Sequence, residues 1–176
     1  MPHFLNPHPD THSSAVRSLS AEASRPDADT LRLCFTLAGA IERLLIPAPA
    51  APERTDGLWQ HSCFEAFVMA GEGPAYHEIN LSPSGQWAVY RFDSRRAGMA
   101  PAEIPSLHIH STYDDNRIRM EATLTGFPPE APWRIGLAAV IEEKDGKKSY
   151  WALAHPPGDP DFHHRDCFAL RLPPAA

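Results

Sequence analysis

The sequence predicts an all-β fold, a two-sheet antiparallel β-sandwich of the jelly-roll-like type, and three observations support this prediction. Short runs that alternate apolar and polar residues, the pattern of half-buried strands, occur along almost the whole chain. The 19 prolines and 10 glycines supply many turns and leave little room for long helices. The length of 176 residues fits one domain. We therefore expect a single domain over residues 1–176, with a loosely ordered segment at residues 1–13.

Eleven strands are expected, and turn-forming residues separate them. In chain order they cover residues 15–23, 30–38, 42–46, 62–69, 75–82, 87–92, 106–113, 117–125, 133–142, 150–154 and 167–172. The strand at 117–125 alternates polar and apolar side chains almost without fault. Asp145-Gly146, between two β-rich runs, is typical of a hairpin turn. Many short strands at near-even spacing favour an antiparallel sandwich over an alternating β-α-β fold.

The strands at 62–69 and 75–82 are the most informative, because each places its polar residues on one side. One face of these two strands carries the apolar residues Phe64, Ala66, Val68, Ile79 and Leu81. The opposite side carries Cys63, Glu65, Phe67, Tyr76, Glu78, Asn80 and Ser82. If the apolar side faces the core, then two carboxylates, an amide and a tyrosine gather on the outer face of one sheet. The pattern predicts a binding face without a nucleophile.

The same two segments resemble the DOMON-like group, whose sandwich domains are related to carbohydrate-binding modules of family nine. The residues that carry the resemblance are Trp59, Cys63, Glu65, Tyr76, Glu78, Asn80, Ser82, Pro83 and Gly85. Residues 149–156, 160–163 and 167–170 are similar to the closing strands of stand-alone bacterial members. The resemblance covers roughly the whole chain and implies a sandwich of the DOMON or carbohydrate-binding-module type.

A set of six residues is the candidate ligand-binding site. These residues are Trp59, Glu65, Tyr76, Glu78, Asn80 and Trp151. The resemblance implies that Trp59 is a stacking surface and that Glu65, six positions later, binds sugar hydroxyls. Packing in the core is the alternative role for both tryptophans. For Glu65 the alternative is a cross-strand ion pair with Arg91 or Arg119.

The expected function is non-catalytic binding of a small molecule, a saccharide or a sugar-containing metabolite. One alternative is a DOMON-like domain that binds haem or a metal through some of its ten histidines. Because neither His-Glu-x-x-His nor paired cysteine spacing is present, no metal ligand is assigned and no cofactor is expected. A second alternative is a glycoside-acting enzyme with Glu65 and Glu78 as the acid and base. No catalytic residue is assigned.

Composition and sequence features limit which binding partners and which cellular location are expected. A formal charge of −6 gives no electrostatic reason to expect nucleic acid or an anionic membrane as a partner. Because the sequence shows neither a secretory signal nor an apolar stretch long enough to span a bilayer, a cytoplasmic location is expected. Cys34, Cys63 and Cys167 all lie in predicted strands, and we expect them to be reduced and buried.

Overall fold

Two antiparallel sheets pack face to face in the computed structural model, which describes residues 1–175. The smaller sheet consists, in spatial order, of β1 His3–Phe4, β3 Val16–Ser24, β4 Leu31–Gly39, β10 Arg117–Thr125 and β9 Ser106–Asp114. The larger sheet consists of β2 Asn6–Pro7, β12 Lys148–Ala152, β11 Trp133–Glu142, β5 Cys63–Ala70, β6 Tyr76–Leu81, β7 Trp87–Phe92 and β8 Ala100–Pro101, while β13 Leu170–Leu172 also pairs with β11. This architecture confirms the predicted two-sheet antiparallel sandwich.

Helical structure in residues 1–175 is limited to three short 3-10 helices. They are η1 Ile41–Arg43, η2 Leu58–Gln60 and η3 Arg165–Cys167. In the described part of the chain, no helix has the length and apolar character needed to cross a bilayer.

The main core lies between the sheets and follows the alternation of the strands. Phe64, Ala66 and Val68 of β5 face inward, as the sequence predicts, and so do Ile79 and Leu81 of β6. The smaller sheet contributes apolar residues from alternate positions of β4 and β10. The rings of Phe35 and Phe64, one from each sheet, have centroids 5.2 Å apart. Burial of this interface supplies the main favourable free energy of the fold.

A second apolar cluster lies on the outer face of the larger sheet. Its buried aromatic residues are Phe67, Tyr76, Tyr90, Phe92, Phe162 and Phe168. The last two belong to the C-terminal segment, residues 153–169, which crosses this face. Gly136 on β11 permits the close approach, since a Cβ there would lie 3.2 Å from the carbonyl oxygen of Cys167. The larger sheet is therefore buried on both faces over part of its area.

The N-terminal segment differs from the expected loose order. β1 pairs with β3, His3 opposite Ala21, and β2 pairs with β12, Pro7 opposite Trp151. Residues 3–7 thus pass from one sheet to the other, and Leu5 between the two strands is buried. Pro7 is compatible with this pairing because it lies on an edge strand, where its missing N–H breaks no ladder.

Two predicted strands also need correction. The strand expected at 42–46 is replaced by η1 and an isolated bridge between Leu44 and Glu143. The strand expected at 167–172 is shortened to β13, because Cys167 belongs to η3. Cys63 and Cys167 are buried, as expected, whereas Cys34 is only partly covered. Its neighbours on β4, Leu33 and Phe35, take the inward positions, so Cys34 points to the outer face.

Candidate functional site

A cleft of about 770 Å³ lies on the outer face of the larger sheet, beside the second apolar cluster. Its floor is built from Glu65 of β5, Glu78 of β6 and Val140 of β11. Around this floor lie η2 with the following His61, residues 96–99, and the C-terminal segment. The cleft therefore lies on the face that the polar side of β5 and β6 predicts.

Glu65 is the most unusual residue of the floor. Its side chain borders the cleft, although the residue is only 3% exposed. No hydrogen bond from residues 1–175 reaches its carboxyl group. Burial raises the pKa of Glu65 well above its ordinary value, and the nearby Glu78 carboxylate raises it further, while Arg96 opposes both effects. The floor thus holds a carboxyl group whose charged form is disfavoured by burial and which has no hydrogen-bond partner among residues 1–175.

Glu78 lies on the adjacent strand and is held by its neighbours. Its Oε1 accepts a 2.9 Å hydrogen bond from Nδ2 of Asn80, and its Oε2 lies 3.7 Å from Nε2 of His163. Burial raises its pKa as well, but the bond from Asn80 and the charge of Arg96 act in the opposite direction. Asn80 is fully buried opposite Glu65 on the adjacent strand, and within residues 1–175 its Oδ1 has no hydrogen-bond partner.

Trp59 stands at the rim of the cleft with half of its surface exposed. The local sequence explains this position. Gly57 adopts a left-handed φ of 76°, which a glycine tolerates without strain, and so begins the tight turn of η2. Within that turn Leu58 packs onto the outer apolar cluster, and Trp59 is directed outward. An exposed indole beside buried carboxyl groups combines a flat apolar surface with hydrogen-bonding groups.

Tyr76, His163 and Arg96 form a connected group at the far end of the cleft. The hydroxyl of Tyr76 lies 2.7 Å from Nδ1 of His163 and accepts a 3.2 Å hydrogen bond from the backbone N–H of Arg96. Burial, with the charge of Arg96 next in importance, lowers the pKa of His163 to about 4, so its ring is neutral at neutral pH. When Tyr76 donates to Nδ1, the proton of the neutral ring is on Nε2, which faces Glu78.

Arg96 has a backbone conformation that is rare for its residue type. Its φ is 57°, in the left-handed region that favours glycine. The guanidinium pairs with Asp161 of the C-terminal segment at 2.9 Å, and Arg95 pairs with the other oxygen of the same carboxylate. Strained residues of this kind are concentrated at functional sites. Here the strain places the Arg96 side chain at the edge of the cleft.

Three of the six predicted site residues line the cleft, and three do not. Trp59, Glu65 and Glu78 line it. Tyr76 and Asn80 lie behind the floor, where they position His163 and Glu78. Trp151 does not form an aromatic wall, because it points into the core between the sheets, where its indole N–H donates to Ser149 Oγ at 2.9 Å.

Several lining residues are absent from the prediction. Tyr150 and Lys148 lie on the outward side of β12, and Trp151 has the core-packing role that the sequence left open as its alternative. Phe162 and His163 belong to a loop, and no local pattern indicates that this loop crosses the sheet. No group of three or more His, Cys, Asp and Glu side chains in residues 1–175 is arranged to hold a metal ion.

Comparisons with known proteins identify the fold. No family model matches the sequence, and no curated protein is significantly similar to it. A candidate carbohydrate-binding protein from Bacteroides uniformis ATCC 8492 superposes with a TM-score of 0.68 at 11% identity, over 99% of this chain and 86% of that one. A family nine carbohydrate-binding module from Caldicellulosiruptor kristjanssonii, solved with cellotriose, gives 0.57 at 10% identity, over 90% and 74%. The chain thus has a β-sandwich fold shared with these two proteins.

Proposed function

We propose that this protein is a non-catalytic saccharide-binding β-sandwich whose site is the cleft between Trp59 and the C-terminal segment. The observation that carries the proposal is the Glu65 carboxyl, buried at the floor of an accessible cleft without a protein hydrogen-bond partner. Burying such a group costs free energy that a bound hydroxyl group offsets. The Glu65 carboxyl is therefore best explained as a group that binds a ligand.

The chemistry of the cleft matches a pyranose ring. The Glu65 carboxyl group can accept hydrogen bonds from sugar hydroxyls in either protonation state. Trp59 offers its indole face to the apolar C–H face of a sugar, through dispersion and desolvation. Glu78, His163 and Arg96 supply further polar groups around the same space.

Two further observations support a saccharide. The two structural neighbours have carbohydrate-binding descriptions, and one was solved with cellotriose. The motif shared with the DOMON-like group includes Trp59, Glu65 and Glu78, which line the cleft. We therefore extend the proposal to membership of that group, with a saccharide or a sugar-containing metabolite as the bound molecule.

Binding is favoured over glycoside hydrolysis by the arrangement of the two carboxyl groups. Hydrolysis needs an acid and an ionised carboxylate that flank the glycosidic bond. Glu65 and Glu78 instead lie side by side on adjacent strands of one floor. Binding is also favoured over haem ligation by His163, since Nδ1 is bonded to Tyr76 and Nε2 faces Glu78.

Calorimetric titration with two saccharide series tests the proposal. The series are glucose, cellobiose and cellotriose, and N-acetylglucosamine, chitobiose and chitotriose, whose equatorial rings present flat apolar faces. We expect at least one series to bind, and Trp59→Ala and Glu65→Leu each to weaken binding by about 1 to 3 kcal/mol. Trp59→Phe, which keeps an aromatic face, should lose less. Failure of all six saccharides to bind would overturn the proposal, and release of shorter sugars would indicate an enzyme.

A further inference from the structure

A second cavity adjoins the cleft on the other side of Trp59. It has a volume of about 690 Å³, and Trp59, Gln60, His61 and Met99 border both spaces. The two cavities are thus neighbours across a common boundary.

Strand β6 runs beneath both cavities. Its outward positions are Glu78 in the cleft, the fully buried Asn80, and, just beyond the strand end, Ser82 in the second cavity. Four residues of extended chain span roughly 13 Å. The combined groove is therefore longer than one pyranose ring.

The boundary between the cavities is apolar and exposed. Trp59 is 50% exposed and Met99 is 53% exposed, and both side chains border both cavities. Two large apolar side chains left in solvent at one place indicate a contact surface for a ligand. A flat indole and a flexible thioether suit a chain of rings that passes over them.

The second cavity also contains its own fixed polar groups. The hydroxyl of Tyr90 donates to Asp56 Oδ1, and Arg54 donates to the same oxygen at 2.7 Å. Burial and the adjacent Asp56 carboxylate raise the pKa of Tyr90 to about 12, so the phenol keeps its proton. These bonds orient Asp56, whose side chain is still largely exposed. Gln86 and Ser82 border the same space.

From these features we infer that the site takes an oligosaccharide of at least two sugar units, with one unit in each cavity and with Trp59 and Met99 in contact with both units. The inference rests on the proposed function, because it assigns the length of the saccharide that the same site binds. Glu65 and Glu78 hold the first unit, and Asp56 with Gln86 holds the second.

The same two saccharide series test the inference through the effect of chain length. In the series that binds, we expect the trisaccharide to bind at least tenfold more tightly than its monosaccharide. Asp56→Ala and Gln86→Ala should remove most of this difference, whereas Glu65→Leu should weaken every member of the series. Asp27→Ala, a change at an exposed residue in the turn between β3 and β4, is the matched control and should leave all affinities unchanged. Melting curves of each variant identify any loss of folding.

Two results would contradict the inference, and they have different meanings. A monosaccharide that binds as tightly as its trisaccharide, with no effect of Asp56→Ala, would overturn the two-unit site and leave the proposed function standing. Absence of binding by all six saccharides would overturn the proposed function as well.

Discussion

At the residue scale, the site depends on the carboxyl group of Glu65, which has no hydrogen-bond partner in the part of the chain that the structure describes and is placed to contact a ligand. Glu65 lies between aromatic neighbours on β5 and is almost fully buried. The cross-strand ion pairs considered for it from the sequence, with Arg91 or Arg119, do not form, since Arg91 pairs with Asp93 and Arg119 with Glu121. Burial is the main cause of its raised pKa, and the neighbouring Glu78 raises the pKa further.

The pH dependence of stability gives a direct test of this environment. Because the pKa of Glu65 is raised on folding, the folded chain binds more protons than the unfolded chain at pH values above about 4.5 and up to the raised pKa. The free energy of unfolding therefore falls as the pH rises through this interval. Glu65→Gln should remove this loss and stabilise the protein at neutral pH by about 1 kcal/mol, with little gain near pH 4.5.

Urea denaturation of both proteins across this pH range measures the difference. Glu121→Gln is the matched control, since Glu121 is an exposed carboxylate paired with Arg119 on the other sheet, and its effect should stay within about 0.5 kcal/mol. A Glu65→Gln variant that is less stable than the wild type at neutral pH would show that the Glu65 carboxylate stabilises the fold.

At the element scale, the N-terminal segment joins the two sheets. β1 extends the smaller sheet, β2 extends the larger one, and Leu5 between them is buried in the main core. The backbone N–H of Leu5 also donates to the carbonyl of Leu19 at 2.9 Å. A short segment that contributes to both sheets resists their separation.

Two adjacent substitutions test this role. Leu5→Ala removes a side chain that is 4% exposed and should lower the free energy of unfolding by about 2 to 4 kcal/mol. Phe4→Ala removes a side chain that is 71% exposed and should change it by less than about 0.5 kcal/mol. Chemical denaturation measures both values. Equally small effects would show that the segment contributes little to the packing of the sandwich.

The sequence predicts strands well where buried and exposed side chains alternate strictly. β7, β10 and β11 have the expected bounds, and the inward and outward sides of β5 and β6 are as predicted. The sequence left the role of Trp151 on β12 open, because the apolar residues Trp151 and Ala152 are consecutive and alternation does not fix the face. The contact of Tyr76 with His163, 87 positions away, depends on the path of a loop, which local patterns do not specify.

At the scale of the whole molecule, the two outer sheet faces differ and so explain where the site lies. The outer face of the smaller sheet is polar and open to solvent, with pairs such as Arg119 and Glu121. The outer face of the larger sheet is partly covered by the C-terminal segment, which borders the cleft. A cleft forms where this cover ends.

The same asymmetry predicts the reactivity of the three thiols. Cys63 and Cys167 are buried, whereas Cys34 lies on the open face and is only partly covered. We expect one thiol per native chain to react with a disulfide reagent, and slowly, because desolvation raises the pKa of Cys34. All three should react in denaturant. Fast reaction of two or more thiols in the native protein would contradict this arrangement.

The crystal structure of the protein with the trisaccharide of the series that binds, cellotriose or chitotriose, tests the central claim most directly. The account predicts density for a sugar ring against the Trp59 indole, with a hydroxyl group within hydrogen-bond distance of the Glu65 carboxyl and a second ring beside Asp56. A saccharide bound at another surface, or a Glu65 side chain without contact to the bound sugar, would contradict it.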